Sequence, residues 1–249
     1  MNTSLSASGA HGAAPVVTVP MINAWKGAER CRNCGIRDVV LFSDLQQEDF
    51  ALIHEPIEEI RFSSGEVMYR ADEPAESAFT LREGLVKLVR YLPDGTQRIV
   101  RLLTRGDIAG LETVLDQRYE HTAIVLEPVE ICRIPAGVLR RLNRETPRLH
   151  HQLMTRWQKA LSSADAWITE LSTGSAKQRV ARLLIRQAKN CGRDGLHLLG
   201  REDIGAMLGI TTETASRVVA QFKREGVIWE VRRGLYQADL DGLRRQAGE

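Results

Sequence analysis

Hydrophobic positions along this chain change their spacing part-way through. From Leu41 to about Pro135, short apolar runs are broken by Gly65, Gly84, Gly95, Gly106 and Gly110, the punctuation of β-strands. Leu85-Val86-Lys87-Leu88-Val89-Arg90-Tyr91 and Gln97-Arg98-Ile99-Val100-Arg101-Leu102 flank Pro93-Asp94-Gly95-Thr96. Proline fixes φ early in such a turn and glycine accepts a positive φ, so the spacing predicts a hairpin. Strands recurring at intervals of roughly 10 residues predict a small antiparallel roll or barrel. After Pro135 the period becomes helical. Leu153, Trp157, Ala160, Ala164, Trp167 and Leu171 are spaced 4, 3, 4, 3, 4, as in a helix that packs lengthwise against a partner. Leu149, Leu161 and Ile168 add a second strip. One strip is expected to pack on the chain's own domain and the other on a second copy, with the dimer contact running from Leu149 to Leu171. A single long helix buried in a monomer is the alternative.

Val180, Leu183, Leu184 and Ala188 continue the helical pattern over Ala176 to Ala188, and two short helices then follow between Glu202 and Ile228. They are joined at Gly209, which supplies the positive φ of a tight inter-helix turn, while Gly205 lets the second helix cross closely. Ile204, Leu208, Ile210, Ala215, Val218 and Phe222 are the expected core, and Thr211 or Thr212 the cap of the second helix. Glu213, Ser216 and Arg217, at i, i+3 and i+4, are left facing outward near its N-terminal end. A carboxylate accepts from cytosine N4, and a guanidinium donates two bonds to guanine. A hydroxyl serves base or phosphate, so this trio suits the major groove. Ile228 to Val231 and Leu235 to Gln237 flank Arg232-Arg233-Gly234, a basic two-stranded wing positioned to touch phosphates. A helical hairpin with charged surface residues is the bland alternative.

Charge supports the polyanion reading. The 249 residues carry 34 Lys or Arg against 32 Asp or Glu, but residues 174–249 carry 14 against 9. The 43% hydrophobic content excludes a disordered or fibrous chain, and the length allows one or two domains. No apolar run is long enough to cross a membrane, and the N-terminus lacks the charged front of a secretory signal, so no membrane partner and a cytoplasmic location are expected. No nucleophile and base pairing, phosphate-cradling glycine loop or His-Glu-x-x-His helix appears, which argues against an enzyme. Cysteines at 31, 34, 132 and 191 are too few for a disulfide framework, leaving metal binding or redox sensing.

A glycine-punctuated β-roll, a long dimerisation helix and a C-terminal winged helix-turn-helix together resemble the CRP/FNR family of bacterial transcription regulators. The implied architecture is α+β: a mobile extension over 1–30, a cyclic-nucleotide-binding-like β-roll sensor over 31–136, a dimerisation helix over 137–173 and a winged helix-turn-helix over 174–249. Glu213-Thr214-Ala215-Ser216-Arg217 is similar to the recognition helix of the FNR branch, which implies a homodimer reading a TTGAT-N4-ATCAA-like inverted repeat in double-stranded DNA, with Thr211, Thr212, Arg232 and Arg233 as further contacts. RNA polymerase is an implied partner. A DNA binder without sequence preference is the rival.

The resemblance also directs attention to the sensor. Cyclic-AMP binders carry a Glu after Gly-Asp-x-x-Gly and an Arg-Ser pair downstream; here Gly106-Asp107-Ile108-Ala109-Gly110 is followed by Leu111, then Glu112, and the pair looks like His121-Thr122. Loss of the guanidinium that would fork onto phosphate argues against cyclic AMP. The FNR branch holds an oxygen-labile [4Fe-4S] cluster on four cysteines. Cys31, Cys34 and Cys132 match three of them, whereas the remaining position falls on Val40, leaving the fourth ligand to Asp38, Asp44, another side chain or an exogenous thiol. Cys191 matches none. Three alternatives stay open: a thiol switch tuned by Arg30, Arg32 and Arg37, haem on His54, His121, His150 or His151, and Cys132 as a small buried hydrophobe. The expected signal is oxygen, redox state or nitric oxide, with a haem- or small-ligand-sensing regulator, or an effector-independent one, as the alternative.

Overall fold

The computed structural model describes residues 16–17, 41–50, 52–191, 195–232 and 234–249. Cys31, Cys34 and Arg233, and the expected extension apart from Val16 and Val17, lie outside them. Two long antiparallel strands, β4 (Ser77–Tyr91) and β7 (Thr122–Pro135), form the spine of the roll. Short strands pair on either side: β1 (Val16–Val17) on β2 (Glu58–Phe62), β2 and β3 (Val67–Tyr69) on β7, and β5 (Gln97–Leu103) and β6 (Ile108–Ala109) on β4. The β4–β5 hairpin forms where the sequence predicts it, with Gly95 at φ 82° and the Thr96 amide donating to Asp94 Oδ1 at 2.9 Å. Register shifts between Leu81 and Val86 bend β4 around Gly84 (φ 88°). A Cβ there would lie 2.2 Å from the Pro128 carbonyl oxygen, so only glycine fits. Leu81, Val86, Val125 and Ile131 fill the interior, where Tyr69 stacks on Phe79 and Tyr119 at 5.5 and 3.9 Å.

Downstream of the roll the helical region is two helices, a correction to one element over 137–173. These are α2 (Ala136–Glu145) and α3 (Pro147–Ala166), the latter continued by a π-helical turn over Trp167–Leu171. The break is at Thr146 (φ −125°, ψ 103°), where the following proline ring excludes helical backbone. Leu149 and Leu153 are fully buried with Leu41, Leu45 and Phe50 beside α1 (Gln47–Phe50), and with Val138 and Leu139 of α2. Leu171 is buried in the C-terminal core. These three side chains are consumed within the chain and cannot form a seam with a second copy.

The C-terminal part contains α4 (Ala176–Cys191), β8 (Leu196–His197), α5 (Arg201–Leu208), α6 (Thr212–Arg224), β9 (Ile228–Arg232), β10 (Leu235–Ala238) and α7 (Leu240–Ala247). Its core unites Val180, Leu184, Ile204, Leu208, Val219, Phe222 and Leu243. Val89 and Ile99, from the roll's β4–β5 hairpin, belong to the same cluster. Lys87 Nζ meets Asp203 Oδ1 at 2.5 Å across this junction, with side chains only 12% and 17% exposed. The C-terminal part is therefore docked on the roll through apolar contact and a nearly buried ion pair. No described helix is long and apolar enough to cross a membrane.

Candidate nucleic-acid interface

The turn between α5 and α6 is built by its two glycines. Gly209 adopts φ 63°, and a Cβ on Gly205 would lie 2.7 Å from the Ile210 carbonyl oxygen. Of the two candidate caps, Thr211 serves, its Oγ1 accepting from the Thr214 amide at 3.1 Å. Ala215, Val218, Val219 and Phe222 bury one face of α6. Glu213, Ser216 and Arg217 lie exposed on the other, with Thr211 and Thr212 exposed just before them. Glu213 and Arg217 make no ion pair or hydrogen bond among the described residues, so a carboxylate acceptor and a guanidinium fork stand free at the start of the helix.

The wing is braced from beneath. Lys223 Nζ donates to Tyr236 Oη at 2.7 Å and sits over its ring, so this cation holds β10 to the end of α6. The Gly234 amide donates to Glu230 Oε1 at 2.8 Å and closes the turn, leaving Arg232 exposed beside exposed Trp229 and Val231. Sequence reasoning missed Arg98, whose guanidinium lies over the helix-turn-helix turn, 2.6 Å from where a Gly209 Cβ would be. Only the tertiary docking of the hairpin brings it there.

In the roll, Glu112 and His121 converge, and Glu120, which sequence reasoning did not single out, joins them. Glu112, Glu120 and His121 place ligand atoms within 4.8 Å of one another, the one such His and carboxylate group among the described residues and a donor set suited to a divalent cation. Burial holds His121 below the usual imidazole range, opposed by the Glu112 carboxylate. Burial also pushes the Tyr69 phenol up, with the Glu112 charge adding to it. The Arg101 and Arg90 guanidinium charges act on the His121 imidazole and add to its depression. Cys132 is half-buried and in no disulfide among the described residues, opposite Thr80 on β4 and Glu59 on β2. The other imidazoles are dispersed: His54 is exposed beside Glu55, His150 Nδ1 meets Asn143 Oδ1 at 3.1 Å, and His151 is exposed on α3.

A family model described as cyclic nucleotide-binding domain matches residues 59–145, and one described as Crp-like helix-turn-helix domain matches residues 178–246. The chain belongs to the CRP/FNR family. It is a DNA-binding transcription regulator, and the relatives it matches are regulators, not enzymes. Electron transport regulator A of Shewanella oneidensis is 27% identical over 81% of this chain and 83% of its own length. The transcriptional activator protein anr of Pseudomonas aeruginosa is 27% identical over 80% and 84%. Among solved structures, a CRP-family transcriptional regulator from Thermus thermophilus superposes with TM-score 0.65 at 28% identity, covering 76% of this chain and 96% of that one. FixK2 from Bradyrhizobium japonicum shares the fold at TM-score 0.70 and 23% identity, over 76% of this chain and 96% of its own.

Proposed function

We propose that this CRP/FNR regulator acts as a homodimer whose paired α6 helices read an inverted repeat resembling TTGAT-N4-ATCAA, in response to oxygen, redox state or nitric oxide. The observation that carries the reading is the free, exposed trio Glu213, Ser216 and Arg217 on the first turns of α6. Truncating Arg217 to Ala removes a bidentate base contact. Binding is expected to weaken by roughly 1–3 kcal/mol, with relaxed preference at one base pair of each half-site. Anisotropy titrations against a panel of single-base operator variants at fixed salt test this; an unchanged preference defeats it.

Dimerisation is supported by the outer strip of α3. Met154, Leu161 and Ile168 are 44%, 65% and 64% exposed, and with Trp157 and exposed Ala164 they follow a 3, 4, 3, 4 spacing along the helix and its π-helical extension. Symmetric pairing along this strip would place two recognition helices one DNA turn apart, about 34 Å.

For the signal, an iron–sulfur site on Cys31, Cys34 and Cys132 is the reading the donor set favours. Thiolates are its usual ligands, and a bound cluster would supply an oxygen- and nitric-oxide-labile redox centre. The chain's own contribution is reach and position. Leu41 packs in the same cluster as Ile134, two residues from Cys132, and seven residues of chain span at most about 25 Å. Anaerobic purification with iron and sulfide analysis, repeated on Cys132→Ser, tests it: equal iron content in both proteins removes Cys132 from the site. His121-Thr122, standing where cyclic-AMP binders carry an Arg-Ser pair, supports a reading without a cyclic nucleotide in the roll.

A further inference from the structure

A second cavity lies where roll, α3 and α4 meet. Its volume is about 560 Å³, within the range of small-molecule sites. None of its lining comes from α6 or the wing, and it excludes Gly110, Glu112, His121 and Thr122 of the roll's own cradle.

Charge distinguishes this cavity. Seven Lys or Arg side chains line it against three carboxylates. The cations come from three separate parts of the molecule: Arg101 and Arg105 from β5 and the turn after it, Arg156 and Lys159 from α3, and the remainder from α4. The cationic side chains outnumber the acidic ones, and several of their contacts are long or go to neutral acceptors. Lys159 meets Asp107 at 3.6 Å and Arg186 meets Glu170 at 3.9 Å, both long pairs. Arg182 spends its donors on neutral acceptors, the carbonyls of Glu170, Thr173 and Ala247 at 2.9–3.0 Å. Arg101, whose charge is also felt by His121, and Lys189 make no hydrogen bond or ion pair among the described residues. Burial holds the Arg156 guanidinium below its usual range, offset in part by the Asp107 and Asp44 carboxylates, while it donates to the Gly106 carbonyl at 3.1 Å.

The rest of the lining limits the anion. Partly exposed Leu111 and Trp167, backed by buried Ile108 and Leu183, form an apolar wall, and the Trp167 ring lies under the Arg186 guanidinium at 5.8 Å. We propose that this cleft binds a nucleotide bearing two or more linked phosphates, which bridge the cations of roll and α4 while the base lies against the apolar wall. Bridging would neutralise charges that otherwise push α4 away from the roll and so fix the reader's orientation. By linkage, ligand and operator each change the other's affinity by the same factor.

The test uses the full-length protein and calorimetric titration with ADP, GDP, inorganic pyrophosphate and cyclic AMP. At least one nucleoside diphosphate is expected to bind, and at least about tenfold more tightly than pyrophosphate or cyclic AMP. Arg101→Gln combined with Lys189→Gln is expected to weaken that binding at least about tenfold, whereas Arg217→Ala leaves it unchanged. Trp167→Phe, read by tryptophan emission, is expected to abolish the fluorescence response while calorimetric binding persists. Absence of binding by both diphosphates at about 1 mM overturns the proposal. So does pyrophosphate or cyclic AMP binding as tightly as the nucleotides, or full affinity in the double variant. Operator binding measured on the same samples keeps a failure here separate from a failure of DNA recognition.

Discussion

At the scale of single residues, backbone geometry and burial give the sharpest expectations. Gly84 combines φ 88° with a carbonyl oxygen 2.2 Å from any Cβ. Gly84→Ala is expected to lose at least about 2 kcal/mol of stability, read as a lowered denaturant midpoint with unchanged slope. His121 makes a pH-dependent contribution. Its imidazole is held below the ordinary 6.5 by burial, against the pull of Glu112 and Glu120 and with Arg101 and Arg90 reinforcing the depression. The unfolded chain therefore takes up the proton first, so the stability this site contributes is intact above about pH 6.5 and declines as pH falls through the interval below. Melting temperatures of His121→Gln are expected to fall less steeply between about pH 7 and 5 than those of the parent; parallel slopes would refute the assignment. The outward placement of Glu213, Ser216 and Arg217 was legible in the sequence because the apolar period of α6 leaves them on its free face. Arg98 was not, because no local signal ties residue 98 to residue 209.

Elements show where periodicity informs and where it stops. The β4–β5 hairpin was readable because Pro93, Asp94 and Gly95 fix its turn, and the pair α5 and α6 because Gly205 and Gly209 permit only a tight crossing. Helix α3 was only half readable. An a/d spacing states that a face is buried, not what buries it, and the strip through Leu149 and Leu153 turned out to serve the chain's own core. The clue to the outer strip was the seven-residue spacing of Met154, Leu161 and Ile168. Leu161→Glu places a charge in that strip and is expected to shift the protein from dimer to monomer in sedimentation velocity. It should leave the circular dichroism spectrum intact and weaken operator binding by at least about tenfold. A variant that remains dimeric would place the interface elsewhere. Helix α7 escaped sequence reading because Leu240 and Leu243 are too few to establish a period, and it is held by packing on α4.

For the whole molecule, the junction between sensor and reader is the principal feature that sequence could not supply, since Lys87 and Asp203 are 116 residues apart. Lys87→Ala strands the Asp203 carboxylate in a nearly closed site and is expected to cost about 2–4 kcal/mol of coupling between the halves. Calorimetry should show one melting transition separating into two, and Lys87→Ala with Asp203→Ala should recover part of the loss; a single unshifted transition in Lys87→Ala would show that the pair is immaterial.

Because Val89 and Ile99 complete a hydrophobic cluster that otherwise belongs to the DNA-reading half, that half is not a detachable cassette. A fragment beginning near residue 174 would present a bare greasy patch on α5 and self-associate. Chimeras that graft this reader onto a relative's sensor should remain soluble only when the donor strand segment 87–99 is transplanted with it.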